Sequence, residues 1–251
     1  MIGDIHGRDA RATSRKKTCW LCLEGLESRL LLSAVAPTAF EQYMVELINR
    51  ARANPPTEAE SYGIDSNEGI AANTISTDPK PPVASNEKLV VAAHTYSQWV
   101  LDNDTFSHTG EDDIDPKQRT IDAGFEFRSS QKSVGNISLL GSASPVTDLT
   151  SEIEQMHETL FVDDTTRNRT HRPTILDEQL TQIGVGLASG DYYDFDPVAA
   201  TQDFAQSGTD LFLTGVVYDG SLSVGTGDDS IRLAKDWTKS RSLRWAVGSR
   251  R

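Results

Sequence analysis

The sequence predicts an α+β fold, on three observations. Apolar residues recur at helical spacing in segments that end by residue 161, strand-like runs come only after residue 182, and neither an internal repeat nor a βαβ alternation is visible. At 251 residues the chain suits one domain with flanking segments.

Residues 39–53 (AFEQYMVELINRARA) read as an amphipathic helix, with Phe40, Met44, Leu47, Ile48 and Ala51 on one face and Pro55-Pro56 as the stop. Residues 56–84 are rich in Pro, Ser, Asn and Asp and read as a surface loop. A second helix is expected over 85–101, with Ser85 as N-cap and Leu89, Ala92, Ala93, Tyr96 and Val100 as its apolar face. A short helix near 115–123 starts at Pro116 and ends at Gly124. A further helix covers 147–161, and 171–177 forms a helical turn. Strands are expected at 183–187 (IGVGL), 199–204 (AATQDF) and 211–218 (LFLTGVVY).

Charge is unevenly spread. Residues 1–34 hold six Lys/Arg and four Asp/Glu, and residues 231–251 hold seven Lys/Arg and one Asp; 35–230 then carry 11 basic and 32 acidic residues, a net of −21. A domain that acidic repels nucleic-acid phosphates and anionic membranes and attracts cations. The hydrophobic content of 37% is enough for a packed core. No apolar run reaches the roughly 18 residues of a membrane span. The two cysteines, Cys19 and Cys22, lie in an apolar CWLC segment before the domain, which itself has no disulfide.

The chain divides into a leader-like segment at 1–36, a domain at 38–218, and a linker with a basic tail at 219–251 that shows no apolar period and is expected to be disordered. Arg15, Lys16 and Lys17 precede broken apolar patches, and Ala34-Val35-Ala36 is a small-x-small cleavage candidate. Glu24, Glu27 and Arg29 interrupt the apolar part, yet LEGLESRLLLSA resembles a leader carried by exported planctomycete proteins.

Six segments, in order, resemble a bacterial CAP domain, of the cysteine-rich secretory, antigen 5 and pathogenesis-related (SCP-like) superfamily. They are LINRARANP, NEKLVVAAHTYSQWVLDNDTFSHTG, DPKQRTIDAGF, SVGNIS, THRPTILDEQLTQIGVGLA and TQDFA, together spanning about 40–207. The resemblance implies a three-layer α-β-α sandwich. It also implies a cleft in which two His and two Glu can hold a divalent ion such as zinc. By motif the two histidines are His108 of FSHTG and His171 of THRPTIL; the first glutamate falls on Gly135 of SVGNIS, so that carboxylate is missing, and Glu158 is the candidate for the second. The cleft-lining set is therefore His108, His171, Glu158, Gly135 and Asn136, with His108 and His171 as metal ligands and no residue assigned to catalysis.

Each of these residues has a plainer reading. His108 fits a helix-end cation and His171 a hydrogen-bonded structural histidine. His157 and His94 read as buried histidines, and Arg119 and Arg172 as holders of salt bridges or carbonyls. The acidic runs DDIDP (112–116) and DYYDFDP (191–197) lack the DxDxDG spacing of a calcium loop and read as solvated. No nucleophile constellation, HExxH or phosphate loop is present.

The leading expectation is a secreted, extracellular or cell-envelope binding module without turnover, with a degraded His/Glu site. No cofactor is expected beyond a weakly held divalent cation, zinc. The partner is an extracellular ligand (lipid, cell-wall component or protein), neither nucleic acid nor a membrane span. Two alternatives stay open: a metal-assisted, peptidase-like hydrolase using His108 and His171, and a structural domain of an exported adhesive protein.

Overall fold

The computed structural model describes residues 36–128, 131–142, 148–166, 169–206, 212–214 and 245–246. The leader, the CWLC segment and all of the tail except 245–246 lie outside these.

Six helices are described: α1 (Ala39–Ala53), α2 (Pro55–Ser61), α3 (Glu87–Asp102), α4 (Pro116–Asp122), α5 (Thr150–Val162) and α6 (His171–Ile175). Strands β1 (Ala84–Ser85), β2 (Ser133–Ser142), β3 (Gln182–Ser189) and β4 (Asp196–Ala205) form one sheet in the order β1-β3-β4-β2. β1 runs parallel to β3, and the other pairs are antiparallel. The two-residue strands β5 (Phe212–Leu213) and β6 (Trp245–Ala246) pair with each other, so the tail contributes one element that its sequence does not announce.

The helix starts follow from local chemistry. The Thr38 hydroxyl accepts from the Glu41 N–H while the Glu41 carboxylate accepts from the Thr38 N–H at 2.7 Å, closing a capping box on α1. Pro55 does not merely end α1. With Asn54 as the cap, it opens α2 at the position where proline is favoured, so the loop expected over 56–84 begins with a helix. α3 is capped by Asn86, not Ser85, because Ser85 pairs with Ile183 in the sheet. Asp115 caps α4, which gives one carboxylate of the 112–116 run a structural task.

Alternation along the strands sorts the core into two layers. Ile183, Val185, Val198, Ala200 and Phe204 face α1, α5 and α6, where they meet Met44, Ile48, Met156, Leu160 and Ile175. Ile137 and Ala199 face α3 and join Tyr96, Val100 and Leu101. Two glycines of β3 let α3 sit this close. A Cβ on Gly184 would collide with the backbone of Leu89 and Val90, and one on Gly186 with that of Ala93 and His94. Helices thus cover both faces of the sheet, an α-β-α sandwich. Among the described residues no helix is long and apolar enough to cross a membrane.

Two arginines tie loops to this frame. Buried Arg52 donates to the carbonyls of Pro81, Ile175, Asp177 and Leu180. Burial lowers its pKa to about 10, which leaves it charged at neutral pH. Arg172, equally buried, donates to the carbonyls of Phe161, Val162, Asp65, Ser66 and Glu68. Its sequence reading as a carbonyl holder stands.

Candidate functional site

His108 and His171 meet. Their ring centroids are 5.7 Å apart, although they are 63 positions apart in the chain. His171 is the first residue of α6. Its position is set by Asp163, the left-handed residue (φ 55°) that ends α5. One Asp163 oxygen accepts the His171 N–H at 2.8 Å, and the other lies 2.9 Å from His171 Nδ1. Burial pushes the Asp163 carboxyl up, but hydrogen bonds from His171 and Thr166 outweigh it and hold the carboxyl below its ordinary range. An ionised Asp163 accepts the proton at Nδ1, so the lone pair of the neutral imidazole form falls on Nε2. That Nε2 is buried and has no hydrogen-bond partner among the described residues.

His108 lies in the segment between α3 and α4 and, as a whole residue, is exposed. Two contacts anchor its backbone. The Tyr96 hydroxyl donates to the Ser107 carbonyl at 2.7 Å, and Arg119 Nη1 donates to the His108 carbonyl at 3.0 Å. Partial desolvation and the nearby His171 and Arg119 lower the pKa of its imidazole, against a hydrogen bond to the Gly135 backbone that raises it. His108 is therefore mainly neutral at pH 7, the form that can donate a lone pair.

Of the remaining expected site residues, Gly135 stays at the site, where its backbone hydrogen-bonds His108, while Asn136 and Glu158 lie elsewhere. Gly135 faces α4, and Asn136, the next residue of β2, faces the opposite layer, where it donates to Gln202 at 3.2 Å. Glu158 is exposed and lines a cleft of about 560 Å³ with Arg50, Tyr62, Glu58 and Glu154. The glycine at the position of the missing glutamate has a steric cause. Gly135 is not among the positive-φ glycines, and a Cβ there would lie 2.5 Å from Arg119 Nη2, 2.9 Å from Asp203 Oδ1 and 3.1 Å from Pro116 Cβ. Crowding by an ion pair is what requires the glycine.

Three acidic residues that carry the site's surroundings were not singled out in the sequence. Asp203 pairs with Arg119 at 2.6 Å, Asp163 orients His171, and buried Glu41 accepts from His94 Nε2 at 2.6 Å and from the Leu187 N–H. A signal existed for Asp203: it is the one charge inside the otherwise uncharged strand run AATQDF, and a buried carboxylate needs a partner. His94 is half-exposed and not buried, and the Glu41 hydrogen bond raises its pKa. His157 is fully buried as expected, 2.9 Å from Glu58.

The model of the CAP, or cysteine-rich secretory protein, family matches residues 45–204, more than half of the chain. The chain belongs to that family. Comparison with curated proteins gave no match. Among solved structures, the CAP domain is similar to an extracellular protein containing a SCP domain from Bacillus anthracis str. Ames. That match has 18% identity and a TM-score of 0.38, and covers 67% of this chain and 40% of that one. It is also similar to BmVAL-1, with 11% identity, a TM-score of 0.44, and coverage of 69% of this chain and 80% of that one. The chain thus spans less than half the length of the first of these structures.

The donor set of this CAP domain fits a divalent ion only in part. His171 Nε2 is an orphaned buried nitrogen beside a second, neutral imidazole, which is the beginning of a zinc shell. Among the described residues, however, no group of three or more His, Cys, Asp or Glu is placed to hold a metal. Asp163 is engaged by His171 and Asp203 by Arg119. If bound, zinc would take His108 and His171 as ligands and act there as a Lewis acid.

Proposed function

We propose that this CAP domain is an exported binding module without turnover, and that its site is the His108–His171 pair. The observation that carries the reading is the commitment of the nearby carboxylates. Asp163 is bound to His171 and Asp203 to Arg119, so neither is free as a general base or as a third metal ligand. Two neutral nitrogens without an adjacent negative ligand bind zinc weakly, on the order of micromolar or poorer. The export half of the proposal draws on the leader-like residues 15–36 and on the acidic, cysteine-free domain. The domain's net charge disfavours nucleic acid as the partner.

A metal-assisted hydrolase is the rival reading. It is favoured by one feature, the Asp163–His171 carboxylate–imidazole pair, which orients Nε2 as carboxylates orient metal-bound histidines. Peptide turnover with zinc present separates the two. The proposal expects no cleavage above background in wild type or in His171→Ala. Cleavage by wild type that disappears in His171→Ala would sink it in favour of the hydrolase.

A further inference from the structure

We propose that Asp203 is the positioning residue of the His108–His171 site: from β4 it holds Arg119, and through Arg119 the segment that carries His108. The inference rests on the reading of those two histidines as one site. Asp203 lies directly opposite Gly135 in the β2–β4 register, on the face of the sheet that α3 and α4 cover. It is fully buried, an expensive place for a carboxylate. Burial pushes its pKa up, and the Arg119 guanidinium opposes this.

The geometry gives that buried charge a task. Arg119 Nε lies 3.1 and 3.0 Å from the two Asp203 oxygens and Nη2 lies 2.6 Å from Oδ1, so one edge of the guanidinium is engaged by the carboxylate. The flat face sits over the Tyr96 ring, 4.0 Å from its centroid. The remaining nitrogen, Nη1, is thereby aimed at the His108 carbonyl at 3.0 Å, next to the Ser107 carbonyl that Tyr96 itself holds. A guanidinium fixed on its edge and its face has little freedom left, so the place of the His108 backbone is set from β4. A lysine has the charge but neither the fork nor the plane. The arrangement also explains Gly135. The ion pair stands in the space that a side chain at 135 would take, so carboxylates at 135 and 203 would compete for one guanidinium.

The test exchanges the carboxylate between strands. Asp203→Gly, Gly135→Asp and the double variant are compared with wild type by thermal unfolding and by through-space NMR contact between the His108 and His171 rings. Asp203→Gly leaves a buried guanidinium unpaired, so its unfolding midpoint should drop by roughly 10 °C and the ring contact should vanish. Gly135→Asp alone should also be destabilised, because two carboxylates then crowd one guanidinium. The double variant should regain most of the midpoint and the ring contact. Arg119→Lys, which keeps the buried charge balance, covers the case in which the first variants do not fold; it should fold and still lose the contact. Ring contact that persists in Asp203→Gly or in Arg119→Lys overturns the positioning role and leaves the site reading standing. A double variant no better than the single ones overturns the exchange. Rings that are apart in wild type overturn the site reading itself, and this inference with it.

Discussion

The residues around His108 and His171 show how far motif spacing reaches. The motif segments that carry His108 and His171 were legible because each is short and distinctive in composition, and the two rings do meet. Asp163 and Asp203 were not, because a carboxylate's partner is set by the fold: Asp203 finds Arg119 from 84 positions away. Glu58 is a further case and carries a prediction. It accepts hydrogen bonds from Arg50 at 2.8 and 2.7 Å and lies 2.9 Å from His157 Nε2. Burial pushes its pKa up, but His157 and Arg50 outweigh that and bring it from 4.5 to about 2. A carboxyl with a lowered folded pKa stabilises the fold fully above its unfolded pKa, and the effect is lost as pH falls through the folded one. His157, whose pKa burial lowers, adds to the loss, since it must charge in acid. Between about pH 4.5 and 2 the protein should lose stability on the order of 3 kcal/mol from Glu58 alone. Glu58→Gln should be less stable than wild type at pH 7 and should show a shallower decline below pH 4.5. Parallel unfolding curves for the two proteins across that range would contradict this.

At the scale of elements, apolar periodicity located α1 and α3, the Pro116 and Gly124 signals located α4, and the segments expected as α5, α6, β3 and β4 stand to within a few residues. Periodicity missed β2. In SVGNISLLGS the apolar residues Val134, Ile137, Leu139 and Leu140 do not alternate, and Gly, Asn and Ser dilute the propensity. That segment becomes a strand because β4 offers it a full ladder of partners, from Ser133↔Ala205 to Ser142↔Asp196. It missed β1 because two residues carry no period. The close approach of α3 to β3 was likewise hidden, since the glycines of IGVGL read equally well as turn or strand residues. The structure makes their role testable. Gly186→Ala puts a methyl group into the backbone of Ala93 and His94, which cannot move like a side-chain tip. Overpacking in a core costs about 1–3 kcal/mol, and a clash with a helix backbone belongs at the upper end. Denaturant unfolding should show a loss of at least about 2 kcal/mol with an unchanged m-value. A variant as stable as wild type would mean that α3 stands further from β3.

For the whole molecule, segments in order were worth more than any one of them. The six motif stretches run from Leu47 to Ala205, and the family match covers 45–204. The α-β-α sandwich follows from that order together with the early helices and late strands. The chemistry at its centre does not follow from the fold, because the same sandwich can hold a complete metal shell or half of one. What separates the two is how the carboxylates are spent, and here Asp163 and Asp203 already have partners. The most direct measurement is a calorimetric zinc titration of the purified protein and of His171→Ala, each checked for folding. The account predicts weak binding by wild type, on the order of micromolar or poorer, and a further loss of at least about tenfold in His171→Ala, equivalent to roughly 1.4 kcal/mol. Nanomolar binding by wild type, or binding that His171→Ala leaves unchanged, would contradict it.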